Sequence, residues 1–210
     1  GKEALLESNR KAFRMGRDYA LAHFACPLPI RVRRSDRVGD RIFIDGNSAA
    51  ALGCVYGGAT VCAWYPITPS SSLAEAFAKY ARKFRTDPAT KKKRYASVQA
   101  EDELASVNMI IGASYGGVPS LTATAGPGLA LMTEGIGLAV AAEVPIVVVD
   151  VMRGGPSTGI PAKSEQSDLS FAVAGLHGDA PRLVLAPTSI ADCLPTTQWA
   201  VELAETLQSP

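Results

Sequence analysis

The chain has 210 residues, 47% hydrophobic and 20% charged, a balance that suits one folded core and excludes a disordered or fibrous chain. Its formal net charge of +1 gives no electrostatic reason to bind nucleic acid or an anionic membrane. The longest uncharged stretch, 104–133, carries Asn108, Pro119, Pro127 and several glycines, so it reads as a pair of buried segments rather than a membrane span.

From the N-terminus, Leu5, Ala12, Met15, Tyr19 and Ala22 form a helical stripe across 2–24. Pro27 and Pro29 end it. Residues 31–41 hold five Arg against two Asp and read as an exposed linker. Ile42–Ile44 is a short extended run, and Asp45-Gly46-Asn47 opens a small-residue helix over 48–57. Residues 1–44 are expected to form an arm or the tail of an upstream domain, and 45–210 the main domain.

From Val61 strands and helices alternate. Val61–Tyr65 reads as a buried strand, followed by a helix over 72–84 that Ser72 and Glu75 open with capping-box spacing. A charged loop over 85–94 leads to a strand at 95–98 and a helix at 101–115. A strand at 120–124 and a nearly all-apolar helix at 129–142 follow. Then come the clearest buried strand, 145–151, a long loop, the segment 169–174, a strand at 183–186, and a last helix that Ser189 and Asp192 cap. This alternation predicts an α/β fold with a doubly wound, mainly parallel sheet.

In such a sheet, ligands lie outside the carboxyl ends of the strands. The unusual residue choices of this chain cluster there: Tyr65-Pro-Ile-Thr-Pro-Ser70, Gln99-Ala-Glu-Asp102, Ala125-Gly-Pro-Gly128 and Met152-Arg-Gly-Gly-Pro-Ser-Thr-Gly159. Glu101, Asp102 and Glu103 stand at a helix start. They either simply complement the helix dipole, or one of them lies in an apolar crevice beside Ala125–Gly128, where it can share a proton with a ring nitrogen. Arg153 ends an apolar strand and either bridges to a neighbouring loop or holds a substrate carboxylate through its planar fork. The 154–159 loop can bind anions through backbone N–H groups. It lacks the Gly-Lys-Ser/Thr ending of a nucleotide P-loop, and Gly126-Pro-Gly128 lacks the third glycine of a dinucleotide fingerprint. Cys26, Cys54, Cys62 and Cys193 are far apart with no CxxC pair, and His23 and His177 are solitary. No metal site is expected, and the thiols suit a reducing, cytoplasmic setting.

In this order, Tyr65–Ser71, Gln99–Glu103, Thr122–Gly128 with Leu131–Glu134, and Arg153–Gly159 with Glu165–Asp168 resemble the α subunit of the 2-oxoacid:ferredoxin oxidoreductases. The resemblance runs from about Asp45 to the end. The Pro69-Ser70-Ser71 form is closer to the 2-oxoglutarate (KorA-type) branch than to the pyruvate branch, and residues 1–44 then correspond to the tail of a fused γ domain. The resemblance implies a pyrimidine-binding domain for thiamine diphosphate. Glu101 matches the cofactor-activating glutamate, Thr68 and Arg153 match residues that bind the 2-oxoacid carboxylate, and Pro66, Ile67, Thr124 and Gly126 are expected to contact the cofactor. It further implies coenzyme A-dependent oxidative decarboxylation with ferredoxin as electron acceptor. The Gly-Asp-Gly magnesium-diphosphate signature is missing, as is a cluster-binding cysteine set. A β subunit is therefore expected to hold the diphosphate, Mg2+ and [4Fe-4S] clusters, in a dimer of heterodimers, with this chain inactive alone. A pyrimidine domain of another thiamine enzyme and a non-catalytic partner module are the competing readings.

Overall fold

The computed structural model describes residues 2–25 and 28–210. Its contacts divide the chain into two units, Gly1–Ile42 and Phe43–Pro210. The first contains helix α1 (Lys2–His23), none of whose residues is buried. Tyr19 stacks on His23 with ring centroids 4.0 Å apart. Cys26 and Pro27, one of the residues expected to end this helix, lie outside the described residues.

The second unit contains four parallel strands, β1 (Val61–Trp64), β2 (Ala96–Gln99), β3 (Ser120–Thr124) and β4 (Val147–Asp150). They lie in the order β2-β1-β3-β4. Between them run α3 (Ser71–Phe84), α4 (Glu103–Tyr115) and α5 (Gly126–Ala141), while α2 (Gly46–Tyr56) precedes β1, and α6 (Leu169–Ala174) and α7 (Ile190–Leu207) follow β4. Strand side chains alternate between faces, and each face has its own core. Cys62, Leu121, Ala123 and Val147 pack with Ala51, Cys54 and Val55 of α2, Phe77 of α3 and Val201 of α7. On the other face, Ala63 and Ile146 pack with Val107 and Ile110 of α4 and Met132 and Ile136 of α5. With helices on both faces, the sheet is doubly wound, as the alternating pattern predicts.

Several helix starts differ from expectation. α3 begins with Ser70 at its N-cap, not with a Ser72–Glu75 capping box. Ser72 Oγ is engaged elsewhere, accepting from Asn47 Nδ2 at 2.8 Å. α4 begins at Glu103 because Asp102 is the cap, its Oδ1 accepting from the Ala105 amide at 2.6 Å. α5 begins at Gly126 rather than Leu129. Pro127 fits inside its first turn, where no intrahelical N–H bond is lost.

Residues 183–186, expected as a strand, form none. The Leu183 amide donates to the Pro210 carbonyl at 3.1 Å. A cavity of about 430 Å³ is walled by Val147–Val151 on one side and Arg182–Pro187 on the other, and this segment does not pair with β4. The final helix starts as predicted, with Ser189 capping the Asp192 amide at 3.1 Å.

Candidate functional site

The strand order reverses between β1 and β3, so the loops leaving these two strands flank the topological switch point where open α/β sheets hold ligands. Trp64 pairs with Gln99 and Thr124 with Asp150. The four loops of interest therefore leave the sheet along one edge. The 430 Å³ cavity opens elsewhere, beside β4, and is lined mostly by apolar side chains. Its position follows from the unpaired edge of β4, and it contains none of the predicted site residues.

The loop after β1 is fixed at both ends. The Ile67 carbonyl accepts from the Ser70 amide at 2.8 Å, the Ser71 amide at 3.2 Å and Ser70 Oγ at 2.9 Å. Asn47 Nδ2, from the first turn of α2, donates to the Pro69 carbonyl at 3.0 Å. Ser70 is fully buried, whereas Pro66 and Thr68 face outward and Ile67 is half-buried. A Pro-bracketed turn thus holds its polar backbone inward and offers Pro66 and Thr68 to the rim.

Arg153 reaches this loop from the end of β4. It is 7% exposed. Its Nη1 donates to the Thr68 carbonyl at 2.7 Å, and its Nη2 donates to the Thr158 carbonyl. Nε is buried without a partner. Among the described residues no carboxylate pairs with it. A buried cation satisfied only by carbonyls retains most of its charge, and its desolvation cost falls when an anion arrives. Of the two expectations for Arg153, the structure discards the salt bridge to a neighbouring loop. The 152–168 loop that carries it is closed at its base. Ser167 Oγ donates to the Arg153 carbonyl at 2.9 Å, and the Ile160 amide donates to the Gly154 carbonyl at 2.8 Å.

The three acids after β2 separate. Asp102 is consumed as the α4 cap. Glu101 is exposed, one residue before that cap, and its carboxylate has no hydrogen-bond or ion-pair partner among the described residues. Glu103 is the carboxylate that lies beside the 125–128 turn. It is 7% exposed. A Cβ on Gly128 would stand 2.8 Å from Glu103 Cγ and 2.0 Å from Thr124 Oγ1. Thr124 is fully buried, so its side chain supports the first turn of α5 from below. The crevice expected to receive one acid therefore holds Glu103, leaving Glu101 on the open rim.

Sequence reasoning singled out neither Asp150 nor Asp168 as site residues. Asp150 ends β4, and Asp168 lies against Gly126: a Cβ there would stand 2.7 Å from Asp168 Oδ1. Burial, and then the charge of Asp168, push the Asp150 carboxyl up to about 7. A lone Asp closing an apolar strand is the signal that could have found it.

The site thus combines an unpartnered carboxylate, a buried and uncompensated guanidinium, and two tight turns at a switch point. Residues 52–210 match the family model described as pyruvate flavodoxin/ferredoxin oxidoreductase, thiamine diphosphate-binding. The chain is 44% identical over 182 residues to the 2-oxoacid:ferredoxin oxidoreductase 1 subunit alpha of Sulfurisphaera tokodaii, covering 85% of this chain and 29% of that one. It is 44% identical over 167 residues to the 2-oxoglutarate synthase subunit KorA of Archaeoglobus fulgidus, covering 80% and 46%. It is also similar to a solved structure of the 2-oxoglutarate:ferredoxin oxidoreductase from Magnetococcus marinus with 2-oxoglutarate, coenzyme A and succinyl-CoA bound. There the TM-score is 0.79 and the identity 44%, over 96% of this chain and 34% of that one. The chain spans less than half the length of each of these relatives.

Proposed function

Because this chain belongs to the thiamine-diphosphate-binding family of the pyruvate flavodoxin/ferredoxin oxidoreductases, we propose that it supplies the pyrimidine-binding half of a 2-oxoacid:ferredoxin oxidoreductase site, with 2-oxoglutarate as the preferred acid. The observation that carries this reading is Arg153, a buried guanidinium held by two carbonyls and no carboxylate. A 2-oxoacid offers the carboxylate that such a fork is shaped to hold. Thr68, whose carbonyl fixes that fork and whose side chain faces the rim, is the second contact for it.

The residues present fit the cofactor. Glu101 offers a carboxyl with no internal partner; Pro66 and Ile67 lie in the turn after β1 and Gly126 opens α5, while Thr124, the last residue of β3, lies buried beneath that first turn of α5. Thiamine diphosphate, when bound, supplies a carbon nucleophile and an electron sink for decarboxylation. Glu101 holds a proton at its carboxyl against a ring nitrogen of that group, a general acid–base role. The turn after β1 shapes the wall beside it. Arg153 orients the substrate by its carboxylate.

The remainder of the site belongs to a β subunit in this reading, which holds the diphosphate, Mg2+ and the iron–sulfur clusters in a hetero-oligomer, a dimer of heterodimers. Residues 1–44 are then the tail of a fused γ domain. The overall reaction is coenzyme A-dependent, yields an acyl-CoA and carbon dioxide, reduces ferredoxin, and takes place in the cytoplasm. Among the described residues no helix is long and apolar enough to cross a membrane.

The test is reconstitution with the partner subunit, followed by ferredoxin reduction with 2-oxoglutarate, pyruvate and branched 2-oxoacids in the presence of coenzyme A. The complex is expected to turn over 2-oxoglutarate best, and this chain alone to turn over none. Preference for pyruvate would overturn the choice of substrate. Turnover by the isolated chain would overturn the shared site.

A further inference from the structure

We propose that the hairpin 85–94, together with the end of α3, is a docking surface for the acidic face of the electron acceptor, a ferredoxin. The proposal rests on the reading of this chain as part of a ferredoxin-reducing complex.

Charge is spread unevenly along the chain. Residues 79–94 hold eight Lys and Arg against one acid, Asp87, in a chain with 21 Lys and Arg and 20 acids. One segment is therefore strongly cationic, and the remainder is net acidic. The negative end of the helix dipole accounts for Arg82 and Lys83, which stand in the last turn of α3. It does not account for Lys91, Lys92 and Lys93. All three are exposed, and among the described residues none has an ion-pair partner. Asp87 is already engaged: Oδ2 pairs with Arg94 at 3.5 Å, and Oδ1 accepts from the Ala89 and Thr90 amides at 3.0 and 2.8 Å.

These cations are held in place. Thr86 and Lys93 form an antiparallel bridge. The Asp87 amide donates to the Lys92 carbonyl at 2.9 Å, and the Arg94 amide to the Arg85 carbonyl at 2.8 Å. Arg85 Nη2 donates to the Val55 carbonyl at 2.8 Å, which ties the base of the hairpin to the last turn of α2. Lys91 has a φ of 58°, a conformation that favours glycine, so a lysine there carries a conformational cost.

Beside this base, Tyr56 and Phe84 are 57% and 45% exposed, with ring centroids 5.9 Å apart. Lys83 Nζ lies 5.1 Å from the centroid of the Phe84 ring. The patch is thus a small apolar contact in a cationic surround. Permanent subunit interfaces are large and apolar, whereas electron-transfer encounters are small and polar. Complementary charge speeds such encounters without making them permanent. The hairpin precedes β2, so it lies at the end of the sheet opposite the loops that leave Gln99 and Thr124. A protein docked there leaves the substrate rim clear.

The experiment uses the complex assembled with its partner subunit, in three forms. These are the wild type, the triple variant Lys91→Glu, Lys92→Glu, Lys93→Glu, and the triple variant with Arg at the same positions. Turnover of 2-oxoglutarate is followed with ferredoxin and, separately, with methyl viologen, a small dye that needs no protein docking site. At low ionic strength the KM for ferredoxin should rise by about tenfold or more in the Glu variant. It should stay near the wild-type value in the Arg variant, which keeps the charge. The kcat with methyl viologen, the KM for the 2-oxoacid and the melting temperature should be shared by all three. Added KCl should slow ferredoxin reduction by the wild type through screening and leave the Glu variant nearly flat. Should the Glu variant lose its viologen activity, Lys92→Glu alone carries the same test with a smaller shift. An unaltered ferredoxin KM and salt profile in the Glu variant would overturn the docking surface. So would binding of poly(U) RNA or phosphatidylserine vesicles that the Glu variant loses while its ferredoxin kinetics stay those of the wild type. Should no 2-oxoacid be turned over with either acceptor, the proposed function falls, and calorimetric titration of ferredoxin against the wild-type and Glu-variant complexes still decides the docking.

Discussion

The guanidinium of Arg153 donates to the backbone carbonyl of Thr68 at 2.7 Å across 85 residues of sequence. This bond joins the end of β4 to the turn after β1, which lie on opposite sides of β3 in the sheet. Arg153→Lys keeps the charge but loses the planar fork. We expect the KM for the 2-oxoacid to rise between tenfold and a hundredfold, corresponding to about 1.5–3 kcal/mol for hydrogen bonds to a charged group, with a smaller change in kcat. Steady-state kinetics of the assembled complex check this.

Glu101→Gln removes the carboxyl proposed to hold the proton without disturbing a buried contact, because Glu101 is exposed and unpartnered among the described residues. Turnover should fall by roughly 100- to 10,000-fold while the melting temperature stays within error of the wild type. Activity within a few-fold of wild type would instead support a module that has kept the fold and lost the chemistry.

Gly128→Ala tests how tightly the α5 turn is built. The new Cβ would stand 2.0 Å from Thr124 Oγ1 and 2.8 Å from Glu103 Cγ, both on buried residues. Overpacking of this kind costs about 1–3 kcal/mol. Urea denaturation should show the loss as a lower midpoint with an unchanged slope.

Asp150 makes stability depend on pH in a defined direction. Its carboxyl titrates near 7 in the folded protein instead of its ordinary 3.8. The folded state therefore binds the extra proton between those values, and the stability it contributes is lost as pH rises through about 7. The urea midpoint should decline across that window, and Asp150→Asn should flatten the decline.

Cys54 and Cys62 are fully buried. Burial pushes the Cys54 thiol up to about 12 and raises that of Cys62 as well. Neither should react with iodoacetamide in the folded protein, whereas both should react in denaturant. Peptide mapping after labelling distinguishes the two states.

Much of this architecture was legible in the residues. Apolar runs such as 145–151 and the cap at Ser189 placed strands and helices because burial and capping are local demands. The loops at the strand ends could be placed on one rim from the α/β pattern alone. What remained hidden depended on tertiary partners. Ser72 has the spacing of a capping box, but Asn47, 25 residues away, takes its hydroxyl. Residues 183–186 have strand composition, but the Leu183 amide goes to Pro210 instead. Asp102 and Glu103 are as acidic as Glu101 in the sequence. Only the fold shows that one caps a helix and the other is buried against Gly128, leaving the third open to the rim.

Helix α2 finds its main partner at the far end of the chain. Thr197 Oγ1 of α7 donates to the Ala50 carbonyl at 2.8 Å across 147 residues, and Gly53 lies against the Leu194 carbonyl, where a Cβ would stand only 2.2 Å from the oxygen. During synthesis the alanine-rich face of α2 therefore emerges from the ribosome long before the surface that covers it. Such distant pairing raises contact order and slows the final docking step. A nascent chain arrested before residue 190 should display a sticky face that a chaperone can shield, and completion of α7 should release it.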